Sequence, residues 1–295
     1  MLRGILPPLV TPFHPDGALD LASFEANLES YAAEDLAGYV VLGSNGESAS
    51  LEEDEKLALL RAARRRAGSR LVIAGTGLES TRATIAFTAR AADAGADAAL
   101  VLTPSVFKSQ MTLDALRRHY ESVAEASPIS VLLYSFPAVT GVAFPLGLAA
   151  AVAGHPRIVG MKESSGDVGL LGRIVCSVPA SFSVACGSAP ALYPSLCVGA
   201  VAGILAVANC APRPAAVLYR AFAVSDHARA RHIQEALTPL AVAVTATHGV
   251  AGLKAAVDLS GRRGGSVRAP LLPIAPAIRD ELRCLLDTAE SAARS

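Results

Sequence analysis

The segment Ile158-Val159-Gly160-Met161-Lys162 is a short apolar run that ends in a single amine. A run without alternating polar residues is typical of a parallel strand that is covered on both faces. Catalytic residues of a (β/α)₈ barrel lie at the carboxyl ends of its strands, and Lys162 would have that position. A lysine that ends an apolar run is also often a surface residue whose stem lies along apolar neighbours. The remainder of the chain decides between these two interpretations.

Seven further apolar runs have the same character, and helical segments separate them. Together with Ile158–Lys162, the predicted strands are Ile5–Thr11, Gly38–Gly43, Leu71–Gly75, Ala98–Thr103, Ile129–Tyr134, Phe182–Gly187 and Ala202–Leu205. Between them, Ser80 and Thr112 are predicted to cap helices, and Glu52 to Ala67 is rich in helix formers. Eight βα units with right-handed crossovers close most simply as a barrel, and an open doubly wound sheet is the alternative. No G-x-G-x-x-G motif follows these runs, which weighs against a dinucleotide fold.

The sequence therefore predicts an α/β protein in which residues 1–224 form a (β/α)₈ TIM barrel that carries the catalytic groups. The regularly spaced strand-like runs end before about Ser225, and residues 225–295 are predicted to form a C-terminal helical appendage. Its expected helices are His227–Ala246, Val250–Asp258 and Ala275–Ala293. We expect this appendage to serve packing or oligomerisation rather than catalysis.

Composition excludes several classes of function. The 295 residues are 52% hydrophobic and carry 26 basic and 26 acidic side chains, for a formal net charge of zero. No apolar stretch approaches the ~18 residues of a membrane helix, and Met1-Leu2-Arg3-Gly4 does not begin a signal peptide, so we expect a cytoplasmic protein without a membrane partner. The basic cluster Arg61–Arg66 lies beside glutamates on a predicted helix, which leaves nucleic-acid binding unsupported. The five cysteines form no CxxC pair, and neither a metal site nor a disulfide set is expected.

Three chemical elements fall at the carboxyl ends of the predicted strands. Desolvation at Lys162 would favour the neutral amine, which is a nucleophile for a ketone. Tyr134 ends the neighbouring run, where its phenol would transfer protons, although an ordinary buried tyrosine is the simpler interpretation. The loop Gly43-Ser44-Asn45-Gly46-Glu47 would hold a carboxylate through backbone N–H groups, although such a loop is also a common connector. Together the three elements predict a site for a 2-oxo acid.

Four motifs resemble the dihydrodipicolinate synthase / N-acetylneuraminate lyase family. They are Gly4-x-x-Pro7-x-x-x-Thr11-Pro12-Phe13, Gly43-Ser44-Asn45-Gly46-Glu47, Tyr134-Ser135-x-Pro137-x-x-Thr140-Gly141 and Val159-Gly160-Met161-Lys162-Glu163-Ser164. The resemblance extends to Arg268-Ala269-Pro270-Leu271 near the end of the chain. Within the family, the Ser-Asn loop and the Tyr134-Ser135 pair resemble 4-hydroxy-2-oxoglutarate aldolases.

The resemblance implies a homotetramer, built as a dimer of dimers, with class I aldolase chemistry and pyruvate as the bound 2-oxo acid. It implies that Lys162 forms the Schiff base, that Tyr134 is the proton relay and that Ser44 bridges to Tyr134. It further implies that Asn45 holds the substrate carboxylate and that Ile204 lines the pyruvyl pocket. Gly187 and Ser188 fall where the subgroup contacts substrate. The covalent lysine makes a metal or an organic cofactor unnecessary.

Two departures from the family pattern bear on function. Synthases that condense aspartate semialdehyde carry an arginine where this chain has Val139, so lysine biosynthesis is disfavoured. The family tyrosine pair after Thr103-Pro104, one of which enters the neighbouring subunit's site, is replaced by Ser105-Val106-Phe107. The main hypothesis is cleavage of 4-hydroxy-2-oxoglutarate to pyruvate and glyoxylate. The alternatives are dihydrodipicolinate synthase, a sugar-acid aldolase or dehydratase, and a non-catalytic paralogue that binds a 2-oxo acid.

Overall fold

The computed structural model describes residues 2–294, which contain one sheet of eight parallel strands. The strands are β1 (Gly4–Leu6), β2 (Gly38–Val41), β3 (Leu71–Gly75), β4 (Ala98–Leu102), β5 (Ser130–Ser135), β6 (Ile158–Glu163), β7 (Ser183–Cys186) and β8 (Ala202–Ile204). Each strand from β2 to β7 pairs with the next strand in the chain, and β8 pairs with β1. Every strand therefore begins at the same end of the sheet.

Backbone hydrogen bonds between the first two strand regions close the sheet into a barrel. The N–H of Ala37 donates to the carbonyl of Ile5 at 3.0 Å, and that of Val40 donates to Pro7 at 3.0 Å. The N–H of Leu9 returns the pairing to Val40 at 2.8 Å. The predicted barrel is therefore confirmed, and the open doubly wound sheet is excluded.

The predicted and observed lengths differ most for the first strand. The prediction extended it from Ile5 to Thr11, whereas β1 ends at Leu6. Pro7 and Pro8 follow, and neither has a backbone N–H to donate to a neighbouring strand. The segment after Leu6 retains only an isolated bridge between Pro8 and Val40.

Helices follow the strands, and the capping residues predicted from sequence begin two of them. Ser80 accepts a hydrogen bond from the N–H of Ala83, and Thr112 accepts one from Ala115. The barrel helices of the described residues are α1 (Leu21–Tyr31), α2 (Glu53–Ala67), α3 (Thr81–Asp93), α4 (Leu113–Ala126), α5 (Pro137–Thr140), α6 (Leu148–Val152), α7 (Val168–Ser177), α8 (Leu192–Cys197) and α9 (Pro212–Ala223).

The C-terminal region continues with α10 (His227–Val242), α11 (Gly249–Leu259) and α12 (Ile278–Arg294). Between α10 and α11 the chain forms a π-helical turn at Ala243–Thr247, a rare geometry that is frequent at functional sites. Helix α12 packs against α9, α10 and α11, which joins the appendage to the barrel. None of the helices in residues 2–294 combines the length and the apolar character that crossing a membrane requires.

Two apolar layers separate the barrel interior from its helical shell. The interior layer includes Leu6, Val40, Leu132, Tyr134 and Ile204. The outer layer lies between the sheet and the helices and includes Met161 on β6. Gly160 and Lys162 flank Met161 in β6. Because side chains alternate along a strand, these two residues face the interior. The same alternation places Tyr134 and Lys162 on one face of adjacent strands.

We expect Gly160→Ala to destabilise the barrel, because a Cβ at Gly160 would overlap the backbone carbonyl of Ser183 on β7. Overpacking of this kind costs about 1–3 kcal/mol. Urea unfolding would measure the change in the free energy of unfolding. Gly154→Ala is the matched control, since nothing lies within 4 Å of its new Cβ. Equal stability of the two variants would contradict the close approach of β6 and β7.

Candidate active site

A cavity of about 430 Å³ opens at the carboxyl ends of the strands. Six residues that the sequence placed at this end line it: Ser44, Asn45, Tyr134, Lys162, Gly187 and Ser188. They come from β2, β5, β6 and β7 or from the loops that follow these strands. The barrel therefore assembles in one place side chains that are far apart in the chain.

Lys162 and Tyr134 form the centre of the site. The side chain of Lys162 is buried, with the residue 3% exposed, and its Nζ donates to the Tyr134 Oη at 3.1 Å. The same Nζ lies 4.2 Å from the centroid of the Tyr134 ring. Tyr134 and Lys162 are register partners in the β5–β6 pair. Parallel strand pairing thus fixes their proximity, as the sequence predicted.

Ser44 extends this pair into a chain of three polar groups. Its Oγ lies 3.3 Å from the Tyr134 Oη, within hydrogen-bonding distance. Ser44 and Asn45 belong to a short 3₁₀ turn, Ser44–Gly46, in which the Gly46 N–H donates to the Gly43 carbonyl at 3.0 Å. An amine, a phenol and a hydroxyl in sequence provide a path for proton transfer.

Gly187 and Ser188 form the wall next to Lys162. A Cβ at Gly187 would lie 2.9 Å from Cε of Lys162 and would overlap the Oγ of Ser164. Glycine at this position therefore keeps open the space beside the amine.

Ile204 does not have its predicted place in the cavity wall. It ends β8, is 1% exposed, and belongs to the interior layer together with Tyr134. It is absent from the described residues that line the cavity.

Ser164 is a further residue of the cavity, and it is not among the binding residues predicted from the sequence. Ser164 is buried, lines the cavity, and its Oγ has no hydrogen-bond partner among residues 2–294. A buried hydroxyl without a partner is rare and indicates a group that a ligand can satisfy. The sequence position of Ser164 could have indicated this role. Ser164 lies two residues beyond Lys162, and continuing the alternation of β6 by one residue directs both side chains toward one face.

The C-terminal region, which the sequence predicts to serve packing or oligomerisation rather than catalysis, also forms one wall of the cavity. Its contribution consists of Ala241, Val242, Thr245, Ala246, Gly249 and Val250. These residues surround the π-helical turn Ala243–Thr247, which widens the helix where it passes the barrel mouth. No periodic pattern in the sequence distinguishes this wall from an ordinary packed helix.

Three apolar side chains are exposed in the segments that follow β4 and β5. Val139 lines the cavity and is 57% exposed. Val106 and Phe107 lie outside the lining and are 65% and 69% exposed. Glu79 holds the backbone before them, accepting the N–H groups of Ser105 and Val106 at 2.9 Å each. Burial raises the pKa of Glu79, but these hydrogen bonds outweigh it and the pKa is lowered overall.

The described lining of the cavity contains few ionisable side chains. Among the described residues that line it, only Lys162 is ionisable to a cation, and no carboxylate is present. Glu163 faces away, on the outer side of β6, where burial raises the pKa of its carboxyl. Within residues 2–294, no cluster of three or more His, Cys, Asp or Glu side chains is arranged to hold a metal ion. The site therefore suits an anion that contains a group reactive toward an amine.

Comparison of sequences gives a match to a known family. The profile of the dihydrodipicolinate synthetase family matches residues 1–289. The 4-hydroxy-tetrahydrodipicolinate synthase of Exiguobacterium sibiricum is 37% identical over 273 residues, which is 92% of each chain. The protein of the same name from an Exiguobacterium species is 34% identical over 283 residues, or 96% of each chain.

Comparison of structures agrees with the sequence match. The chloride-inhibited dihydrodipicolinate synthase from Acinetobacter baumannii, in complex with pyruvate, superimposes with a TM-score of 0.92. The sequence identity is 30%, and the alignment covers 98% of this chain and 99% of the other. The similarity thus includes the barrel and the C-terminal helices.

Proposed function

The chain belongs to the dihydrodipicolinate synthetase family, and we propose that it is a class I aldolase that cleaves 4-hydroxy-2-oxoglutarate to pyruvate and glyoxylate. One observation supports the chemistry above all others, namely the 3.1 Å contact between Nζ of buried Lys162 and Oη of Tyr134. An amine protected from water and next to a proton donor is suited to condensation with a ketone.

In the proposed reaction, Lys162 attacks the C2 ketone and forms a carbinolamine. Loss of water gives the protonated imine, which accepts electrons while the C3–C4 bond breaks and glyoxylate leaves. The remaining enamine takes a proton at C3, and water hydrolyses the imine to release pyruvate and the free amine. The imine is the electron sink, so the reaction needs neither a metal nor an organic cofactor.

The neighbouring groups would divide the remaining tasks. Tyr134 would pass protons to and from the carbinolamine oxygen and the C4 hydroxyl, with Ser44 as its hydrogen-bond partner. Asn45 and the backbone N–H groups of its turn would hold the C1 carboxylate beside Lys162. The unpartnered hydroxyl of Ser164 would serve a polar group further along the substrate.

The two candidate functions differ in the compound that is joined to pyruvate or released from it. The names of the relatives favour a second candidate, the condensation of pyruvate with aspartate semialdehyde by a 4-hydroxy-tetrahydrodipicolinate synthase. Val139 favours the aldolase, because it puts an isopropyl group where such synthases carry an arginine. Apart from Lys162, no described residue of the cavity lining has a basic side chain that could replace that guanidinium.

We also propose that the protein is a cytoplasmic homotetramer, assembled as a dimer of dimers. The exposed pair Val106 and Phe107 supports an oligomer, because apolar groups of this size gain free energy when a partner covers them. The free thiols of Cys176, Cys197 and Cys284 are exposed, which suits a reducing compartment.

Lys162→Ala should abolish covalent trapping of pyruvate, because no other described residue of the cavity lining carries an amine. Borohydride reduces the imine, and mass spectrometry would then detect the stable adduct on the unmodified chain. Lys56→Ala is the matched control, since Lys56 lies on helix α2, and it should trap pyruvate at full yield. Full trapping by Lys162→Ala would exclude Lys162 as the Schiff-base residue.

Tyr134→Phe should slow chemistry more than binding, because it removes the proton relay and keeps the ring. We expect kcat to fall by about 10²–10⁴-fold with a smaller change in KM. Steady-state kinetics would measure both constants. Tyr219→Phe is the control, since the Tyr219 phenol donates to the Val201 carbonyl away from the cavity. An unchanged kcat in Tyr134→Phe would make Tyr134 a structural residue.

The two candidate functions differ in the kcat/KM that each substrate should show. The unmodified chain should turn over 4-hydroxy-2-oxoglutarate and should be a poor catalyst of condensation with aspartate semialdehyde. Val139→Arg should raise kcat/KM for condensation by on the order of 100-fold, through a charge-assisted pair with the semialdehyde carboxylate. Val139→Leu is the control for altered bulk. Efficient condensation by the unmodified chain would favour the synthase instead.

A further inference from the structure

A buried ion pair lies behind the turn that carries Ser44. The carboxylate of Glu47 is 2.5 Å from the Nζ of Lys254, and both side chains are 2% exposed. Lys254 also donates to the carbonyl of Ser266 at 2.6 Å and lies 4.4 Å from the centroid of the Phe13 ring. Burial lowers the pKa of Lys254, and its bond to Glu47 opposes that effect. The pair joins the barrel to helix α11.

The second oxygen of Glu47 is bound by the C-terminal segment. It accepts the backbone N–H of Arg268 at 2.9 Å, across 221 residues of sequence. The Arg268 guanidinium in turn donates to both carboxylate oxygens of Glu55, each at 2.7 Å, and to the Ser50 carbonyl at 2.7 Å. Two motifs without a part in the chemistry, Glu47 of the loop and Arg268 near the end of the chain, therefore meet here.

The backbone at Glu47 has an unfavourable conformation. Its φ of 53° and ψ of 36° lie in the left-handed region, which costs free energy for any residue except glycine. Leu42, before the loop, also has a positive φ of 64°. Strained residues of this kind persist when surrounding contacts over-determine them, and they concentrate at functional sites. One carboxylate oxygen of Glu47 pairs with Lys254 and the other accepts the Arg268 N–H, which supplies such contacts.

The strained residue connects directly to the site. The N–H of Glu47 donates to the carbonyl of Ser44 at 3.1 Å and closes the turn. The preceding carbonyl, that of Gly46, accepts a hydrogen bond from Thr11 at 2.7 Å. At the start of the same turn, the Oγ of Ser44 lies 3.3 Å from the Oη of Tyr134. A change in the backbone of Glu47 would move Ser44 relative to that phenol.

We propose that Glu47, held by Lys254 and by the Arg268 N–H, is a positioning residue that keeps Ser44 against Tyr134 during proton transfer. A buried ion pair is weak evidence for stability, because apolar replacements are often as stable. Its geometric effect on the turn is the better explanation for its presence. The C-terminal region thus controls the proton relay as well as one wall of the cavity.

The proposal rests on the Schiff-base activity proposed above, and the assay separates the two. Exchange of the pyruvate methyl hydrogens with deuterium oxide requires imine and enamine formation but no second substrate. Proton NMR would follow the loss of the methyl signal at saturating pyruvate. Absence of exchange in the unmodified chain would refute the proposed function, whereas the positioning role is judged from variants of a chain that exchanges.

Glu47→Gln should slow this exchange about tenfold, as expected when one hydrogen-bonded contact in the transition state is lost. The double variant Glu47→Gln/Lys254→Met removes the unpaired charge and should recover thermal stability without recovering the rate. If Glu47→Gln alone does not fold, the exchange rate of the double variant is compared with that of the unmodified chain instead. Exchange at the unmodified rate in the folded double variant would overturn the proposal.

A double-mutant cycle with Ser44 distinguishes positioning from a general loss of stability. In a Ser44→Ala background, Glu47→Gln should slow exchange by less than twofold, because its effect passes through Ser44. Independent, multiplicative effects would overturn the proposal. Glu34→Gln is the matched control, since Glu34 pairs with Arg262 of the C-terminal region at 2.9 Å without contacting the turn. Its rate should equal that of the unmodified chain.

Discussion

The contact between the Lys162 amine and the Tyr134 phenol is the interaction on which the site depends. Withdrawing an amine from water is unfavourable unless polar groups meet it, and here the phenol oxygen and the aromatic face do so. The β5–β6 register sets both contacts. Any shift of one strand past the other by one residue would turn one of the two side chains out of the barrel.

The barrel and the C-terminal helices contribute differently to the site. The strands supply the reactive groups, because their carboxyl ends converge at one mouth. The C-terminal region supplies the wall around Thr245 and Val250 and the contacts to Glu47. The cavity is therefore lined by residues of both regions.

Membership of the family indicates pyruvate-dependent chemistry for this chain. It leaves the second substrate open. The proposed Schiff base involves Lys162 and Tyr134, which are buried residues of the cavity lining. Val139, in contrast, is an exposed residue of the lining, where a second substrate would enter under the proposed function. Side chains at the mouth can change without disturbing strand pairing, so relatives that share the Schiff base can differ in the partner they accept.

Local patterns in the sequence were sufficient for the eight strands, for the caps at Ser80 and Thr112, and for the meeting of Ser44, Tyr134 and Lys162. Each of these follows from neighbours along one strand or one helical turn, together with the rule that parallel strands end on the same side. The burial of Ile204, the wall at Thr245 and the bond from Arg268 to Glu47 were beyond such patterns. They depend on how segments far apart in the chain pack in three dimensions, and contacts of that kind impose no period on the sequence.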